Sequence, residues 1–339
     1  MKTIDLNPII WLKDAEITHS CGRSLASTLY VQPISILLSG DLGSGKTTFL
    51  NGFSEALDIQ GHLPSPTFAL EHLHKTADGK PFLHIDLYRL SGPQADAFIE
   101  QTADFLGFRC IEWAQHLQKP LEDPYISIQI LDRNRHRGHE LTCAFRDMPL
   151  PGDADILQWR REMALPEHIA AHCDTVACFA VQMGTSLMQR GDIVRLEALE
   201  KAGKIHDLLR FIDFTPGASH ADDIPNEPAV WQEIRQLHSG KRHEPACASF
   251  LRTRGFSALA EIVEVHGLQL PPKERRTVEQ KLLYYADKRV NLDRVVTLDE
   301  RFADFSKRYN GSRFSKDADI WYTQAKELEE ELFGGNPPM

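Results

Sequence analysis

Apolar and polar positions alternate between strand-like and helix-like spacing through the first half of the chain. Residues 34–40 form an apolar run that ends in glycine, as is typical of a buried parallel strand. From Lys46 to Leu57 the apolar residues recur at helical spacing, and a further helix is predicted at 93–106. More strand-like runs lie at 82–88, 108–112, 125–131 and 141–145. This alternation predicts an α/β domain with a mostly parallel sheet and flanking helices.

A different pattern begins after a cluster of two prolines and a glycine at 148–153, where we place a linker. Long amphipathic helical patterns dominate the rest of the chain, interrupted by a turn-rich loop at 215–228. They predict an all-α helical bundle for the second half. The expected layout is an α/β domain at 1–148, a linker at 149–158, a helical domain at 159–315, and an acidic helix and tail at 316–339.

Composition and charge narrow the possible classes of function. The 339 residues carry a formal net charge of −10, which argues against a broad basic surface that binds nucleic acid. No apolar run is long enough to span a membrane, and the first residues lack a secretory layout, so we expect a cytoplasmic protein. The six cysteines are scattered without a CxxC pair, which favours reduced thiols over a disulfide framework or a zinc knuckle.

The segment between the first predicted strand and helix carries the chemistry of phosphate binding. It matches GxxxxGK[ST] in full, with the residues Gly40, Asp41, Leu42, Gly43, Ser44, Gly45, Lys46 and Thr47, followed by Thr48. Glycines let the backbone curl so that its N–H groups point inward at a helix N-terminus and form an anion site. Lys46 is expected to reach the β- and γ-phosphates of ATP, and the Thr47 hydroxyl to ligate Mg²⁺. We therefore expect a P-loop NTPase-like fold for the first domain.

Three further motifs follow this loop in order: SPTF at 65–68, HIDLYRL at 84–90 and IEW at 111–113. Together with the loop they make residues 15–146 similar to the TsaE family, motif by motif. The resemblance implies slow ATP hydrolysis that supports tRNA N6-threonylcarbamoyladenosine (t6A) synthesis at adenosine 37. It also implies TsaD and TsaB as protein partners, with tRNA contacted indirectly through their complex.

The same resemblance implies roles for single residues in the first half. Thr67 matches a switch-like position that faces the nucleotide. Asp86 matches the acidic residue beside the metal and the attacking water, and Glu112 matches the residue linked to Mg²⁺; with Lys46 they are the expected catalytic residues. Trp113 follows, as in the family, and is open to two interpretations, core packing or a partner contact. The next residue is alanine where the family usually has proline.

A kinase is the competing interpretation of the first half. Kinases of this class usually have an arginine-rich lid and an acceptor pocket, and no such segment lies between residues 48 and 112. The motif order therefore favours the ATPase.

A second set of residues suited to metal binding lies in the helical half, namely His172, His206, Asp207, His243, His266 and Asp287. Mixed imidazole and carboxylate ligands suit divalent ions, and a carboxylate that bridges two ions helps them activate a water for attack on phosphorus. The ordered set, with its helical flanks over residues 160–310, resembles the HD phosphohydrolase superfamily. The resemblance implies that all six ligate one or two divalent transition metals such as Mn²⁺ or Fe, with Asp207 also catalytic.

The two halves together predict a bifunctional protein, a TsaE-like ATPase followed by an HD-type phosphohydrolase acting on a nucleotide or another phosphoester. Many HD relatives read HDIGK where this chain reads HDLLR, so Arg210 stands at the lysine position. Arginine is not equivalent to lysine, which puts substrate handling in question more than metal binding. The alternative is a catalytically weak HD module that senses metal or nucleotide and regulates the ATPase.

Overall fold

The computed structural model describes residues 6, 8–59, 63, 69–134, 138–214, 227–268, 274–308 and 314–338. The chain divides into two compact units. The first comprises the residues up to Met148 together with Thr185–Arg195, and the second comprises Pro149–Gly184 and the residues from Leu196 onward. Within these described ranges, no helix is long and apolar enough to cross a membrane.

The first unit is an α/β unit built on one seven-stranded sheet. Its elements in chain order are β1 (Ile10–Leu12), α1 (Ala15–Ala26), β2 (Ile34–Ser39), α2 (Lys46–Ala56), β3 (Glu71–Lys75), β4 (Pro81–Asp86), α3 (Pro93–Glu100), β5 (Phe108–Glu112), β6 (Tyr125–Asn134) and β7 (Gly138–Arg146). The strand order is β1-β7-β6-β2-β5-β4-β3. Apolar side chains of the central strands are almost completely buried, so the sheet forms the middle of the core.

The sheet is mixed, and the prediction of a mostly parallel sheet was wrong in this respect. The four central strands β6, β2, β5 and β4 run parallel, whereas β1, β7 and β3 pair antiparallel at the two sides. The connections explain the difference. Only a few residues join β3 to β4 and β6 to β7, and a parallel pairing would need a crossover of a dozen residues or more.

Helices α1 and α2 of the first unit contact each other backbone to backbone. A Cβ atom at Gly22 would lie 1.9 Å from the carbonyl oxygen of Phe49, and one at Gly52 would lie 1.9 Å from that of His19. Only glycine permits this approach at either position. The contact fixes the helix that carries Lys46 at its first turn.

Replacing Gly22 with alanine is expected to destabilise the first unit. The added methyl group must push α1 away from α2, and overpacking of this kind costs about 1–3 kcal/mol or more. Urea unfolding of the full chain measures the loss. Ser20→Ala, at an exposed position on the same helix, is the matched control. Equal unfolding midpoints for the two variants would contradict the close contact.

The second unit is helical, as the amphipathic patterns predicted. Its elements are α4 (Asp153–Glu162), α5 (Glu167–Gln189), α6 (Leu196–Ile205), α7 (Ala229–Leu237), α8 (His243–Arg252), α9 (Ser257–Glu264), α10 (Val278–Arg289), β8 (Val290–Asn291), β9 (Arg294–Val295), α11 (Leu298–Arg308) and α12 (Phe314–Phe333). Strands β8 and β9 form a small hairpin. Helix α4 begins inside the span 149–158 that the sequence assigned to a linker, and most of the turn-rich loop at 215–228 lies outside the described residues.

The segment Thr185–Arg195, which includes the last residues of α5, belongs to the first unit although it follows in sequence after residues of the second. The buried guanidinium of Arg195 donates to the carboxylate of Asp147, with 2.8 Å between Nη2 and Oδ2, and to the carbonyl oxygen of Thr28 at 2.9 Å. The amide of Ile193 donates to Ser24 Oγ at 2.9 Å. Residues beyond the predicted boundary at 148 therefore complete the core of the first unit.

Candidate functional sites

The loop between β2 and α2 has the backbone that a phosphate-binding loop requires. Gly40, Gly43 and Gly45 have φ angles of +149°, +81° and +97°, which side chains rarely tolerate. A Cβ atom at Gly40 would lie 2.4 Å from the carbonyl oxygen of Ile130, so that position also needs glycine for space. The loop runs directly into the N-terminus of α2, where unpaired backbone N–H groups and the helix dipole favour an anion.

Lys46 lies over the phosphate-binding loop. Its Nζ donates to the carbonyl oxygens of Gly40 and Asp41, both at 2.8 Å, and lies 3.9 Å from the centroid of a Trp113 ring. Burial lowers the pKa of Lys46, although the charges of Glu112 and Asp86 partly oppose the shift. Trp113 thus contacts the lysine of the loop and also packs, partly buried, against the core of the first unit.

Two carboxylates converge on the loop from neighbouring parallel strands. Asp86 ends β4 and Glu112 ends β5, and the two are paired in register. Thr47 Oγ1 donates to Glu112 Oε2 at 3.1 Å, while Asp86 Oδ1 accepts from the amide of Tyr88 at 2.8 Å. A hydroxyl and a carboxylate are hard oxygen donors, which Mg²⁺ prefers. The donor set therefore fits Mg²⁺ held by Thr47 and Glu112.

His84 is a further residue of this site, and the sequence interpretation missed it. Its Nε2 lies 2.9 Å from Glu112 Oε1, and both side chains are buried. A carboxylate only accepts, so Nε2 carries the proton and donates to Glu112. The signal was present in the sequence, because His84 precedes Asp86 by two positions and side chains two apart share one face of a strand.

The remaining predicted residues of the loop differ in their surroundings. Leu42 is 81% exposed and Asp41 is also exposed, whereas Ser44 is buried and Thr48 is half-buried. Gln115 was not predicted, yet its side-chain amide makes two hydrogen bonds with the backbone of Gly40. Gly40 N donates to its Oε1 at 3.4 Å, and its Nε2 donates to the Gly40 carbonyl oxygen at 3.2 Å. The expected switch residue Thr67, with the SPTF motif, lies outside the described residues.

Fold and site together define a P-loop nucleotide-binding domain, because the glycine turn, the lysine and the strand-end carboxylates meet at one edge of the sheet. A family model for "Threonylcarbamoyl adenosine biosynthesis protein TsaE" matches residues 12–140. The TsaE protein of Aquifex aeolicus is 34% identical over 128 residues, which cover 37% of this chain and 90% of that protein. The chain therefore belongs to the TsaE family, and the resemblance inferred from its motifs is confirmed.

Two more similarities were found. The TsaE protein of Streptomyces coelicolor is 46% identical over 72 residues, which cover 21% of this chain and about half, 48%, of that protein. A crystal structure of YdiB from Bacillus subtilis is 25% identical, with a TM-score of 0.32, and the match covers 42% of this chain and 89% of that one.

The second unit brings all six predicted ligand residues together. His172 lies on α5, His206 and Asp207 follow α6, His243 begins α8, His266 follows α9, and Asp287 lies on α10. His172 Nε2 lies 3.1 Å from Asp287 Oδ1, and His243 Nε2 lies 3.2 Å from His266 Nε2. All six are mostly or completely buried. Residues up to 115 positions apart thus converge on one small volume.

The four imidazoles face the cluster with the same nitrogen. In each ring Nδ1 contacts an oxygen atom outside the cluster, namely the carbonyl oxygens of Leu292, Gly203 and Val263 for His172, His206 and His266, and a carboxylate for His243. The Nε2 atoms therefore point inward, as the ligating nitrogens of metal-bound histidines do. His206 Nε2 is buried without a hydrogen-bond partner among the described residues.

Asp207 lies between two groups of possible ligands. Its Oδ2 is 3.8 Å from His206 Nε2 on one side, and its Oδ1 is 3.0 Å from His243 Nε2 and 3.5 Å from His266 Nε2 on the other. Two of the ligand triads thus share this carboxylate: His172, His206 and Asp207, and Asp207, His243 and His266. Mixed imidazole and carboxylate donors with a shared carboxylate fit two divalent ions.

The charges within the cluster are strongly coupled. Burial tends to lower the pKa of His206, but the negative charge of Asp207 raises it well above its usual value. Burial likewise tends to raise the pKa of Asp207, yet the charges of His206, Arg210 and His243 hold it well below its usual range. Arg210, the residue at the position of lysine in many relatives, has Nη1 3.0 Å from His243 Nδ1. The cluster is thus an ionised site with a cation at one side.

Proposed function

We propose that the first unit is an ATPase that supports tRNA threonylcarbamoyladenosine synthesis, in the manner that the names of its relatives describe. The observation that carries the proposal is the contact between Thr47 and Glu112 beside Lys46, at the edge of the sheet where the glycine loop opens. Lys46 binds the oxygens of the β- and γ-phosphates, and the loop amides bind the rest of the phosphate chain. Mg²⁺, when bound, neutralises the charge that develops on the transferred phosphoryl group.

The carboxylates of Glu112 and Asp86 have different roles in this proposal. Glu112, held by Thr47 and His84, takes part in holding the ion, and Asp86, next to it in register, orients the attacking water. TsaD- and TsaB-type proteins are the expected partners, and tRNA is reached through them. The net charge of −10 favours protein partners over direct binding of nucleic acid.

Reconstitution with purified partners tests this proposal. The full chain is mixed with TsaD and TsaB of a bacterium, and phosphate release from ATP is measured with each protein omitted in turn. We expect hydrolysis that rises when both partners are present. A rate that is the same with and without them would contradict a role in that complex, even if ATP is hydrolysed.

His84 gives a finer test of the first site. Replacing it with leucine removes the hydrogen bond to Glu112, and loss of such a supporting bond costs about 10–100-fold in activity or ion affinity. We expect a lower kcat and a higher Mg²⁺ requirement, measured by phosphate release across a Mg²⁺ titration. His84→Gln keeps an N–H donor and should retain most activity. If leucine and glutamine behaved alike, the bond would have no functional role.

For the second unit we propose an HD-type metal-dependent phosphohydrolase at residues 159–315, following the domain at 1–148. The observation that favours it is the convergence of four inward-facing imidazoles on Asp207 and Asp287. When bound, the ions would supply a nucleophile by lowering the pKa of water. The chain's own residues hold them, and Arg210 provides a positive charge beside the site for an anionic phosphoester.

The rival for this unit is a module that binds metal or nucleotide and regulates the ATPase with little turnover of its own. The two are separated by incubating the Lys46→Ala chain, whose first site is expected to be inactive, with Mn²⁺ and a panel of nucleotides and generic phosphodiesters. Release of phosphate or of a nucleoside favours the hydrolase. Binding of ligand without any product favours the regulatory module.

A further inference from the structure

One of the four inward-facing histidines is supported differently from the others. The Nδ1 atoms of His172, His206 and His266 contact neutral backbone carbonyls. His243 Nδ1 instead lies 2.6 Å from Asp213 Oδ2 and 3.4 Å from Glu244 Oε2. A carboxylate that accepts from Nδ1–H makes the opposite nitrogen a stronger electron donor. We expect this effect to outweigh the repulsion between an ion and Arg210, whose Nη1 lies 3.0 Å from Nδ1 and 3.3 Å from Nε2, so that His243 holds an ion more tightly than its three counterparts.

Glu244 is unusual in its own right. Its side chain is 0% exposed, and neither carboxylate oxygen has a hydrogen-bond partner among the described residues. The nearest cation outside the ring is Arg242, whose Nη2 lies 3.2 Å from Oε1. A buried carboxylate without hydrogen bonds is costly unless positive charge lies close to it. An ion on the far side of the His243 ring would supply such charge.

Gly267 makes room for this carboxylate. A Cβ atom at position 267 would lie 1.8 Å from Glu244 Oε1, so a larger residue there would displace the glutamate side chain. Gly267 directly follows His266, and Glu244 directly follows His243. His243 is thus followed by the carboxylate itself, and His266 is followed by the glycine that leaves space for that carboxylate.

We propose that Asp213 and Glu244 are positioning residues for His243, and that they make the two ion sites unequal. The site formed by Asp207, His243 and His266 is the tighter one, and the site formed by His172, His206 and Asp207 is the weaker. This inference rests on the proposed metal centre and adds the order in which its sites fill.

Calorimetric titration of the metal-free full chain with Mn²⁺ tests the inference. The wild-type chain is expected to bind in two steps. Glu244→Gln should weaken the tighter step about 10–100-fold and leave the weaker step unchanged. The matched control is Glu331→Gln, which removes an exposed carboxylate paired with Lys281 elsewhere in the same unit. A Glu244→Gln chain that binds as the wild type does, or that loses both steps equally, would overturn the inference.

Gly267→Ala provides a second variant that leaves every carboxylate in the chain. The new methyl group meets the carboxylate end of the buried Glu244 side chain, so we expect a folded chain with the glutamate displaced and the same selective loss of the tighter step. An unchanged tighter step in this variant, with normal circular dichroism, would contradict the role of Glu244. No binding of Mn²⁺ by the wild-type chain would refute the metal centre itself.

Discussion

Replacing Lys46 with alanine is expected to abolish ATP hydrolysis by the full chain. Lys46 Nζ lies against the carbonyl oxygens at the start of the loop and is the cation closest to where the β- and γ-phosphates bind in our proposal. Removing one donor that stabilises transition-state charge costs about 10²–10³-fold in kcat, and a full positive charge should cost at least as much. Phosphate release at saturating MgATP, with TsaD and TsaB present, measures the loss.

The control for this experiment is another lysine of the same unit. Lys80 is 46% exposed and pairs with Asp78 at the turn between β3 and β4, so Lys80→Ala should hydrolyse ATP at the wild-type rate. Both variants must retain the wild-type unfolding midpoint. A Lys46→Ala rate within a few fold of the control would mean that hydrolysis occurs elsewhere in the chain.

Replacing Asp207 with alanine is expected to remove both ions and all phosphoesterase activity from the second unit. Its two oxygens face the two triads separately, so no other side chain in the cluster serves both. The ion content measured on the purified chain should fall from up to two per chain to none. His172→Ala, which touches one triad only, should remove one ion and leave the other.

The matched control is Asp174→Asn, on the same helix as His172 but directed at Arg160. It should keep both the ion content and the activity of the wild type. If Asp207→Ala kept its ions and its turnover, the shared-carboxylate arrangement would be wrong. If the wild type bound ions but never turned over a phosphoester, the regulatory module would replace the hydrolase.

Local sequence predicted the parts of the first site that depend on neighbouring residues. The two glycines that the motif specifies, Gly40 and Gly45, adopt positive φ angles, and α2 starts at Lys46 as predicted. Asp86 and Glu112 meet because parallel strands end at one edge of a sheet. His84 was missed although its spacing of two from Asp86 places both on one face of a strand. Gln115 was missed because a loop glutamine has no spacing that distinguishes it from other surface residues.

Features that depend on distant pairing could not be predicted from the chain alone. The antiparallel sides of the sheet follow from short connections, which periodicity does not reveal. In the sequence nothing distinguishes Arg195 from the other charged residues of a helical region, yet it is buried against Asp147 in the first unit. In the cluster, six ligand residues were predicted by order, whereas Asp213 and Glu244 became apparent only through their contacts with His243.

The central claim, that the first unit is a TsaE-type ATPase, is tested most directly in bacterial cells whose own TsaE has been depleted. The full chain is expressed in them, and threonylcarbamoyladenosine in bulk tRNA is measured by mass spectrometry. We expect that the wild-type chain restores the modified nucleoside and that the Lys46→Ala chain, at equal abundance, does not. Restoration by both chains, or by neither, would contradict it.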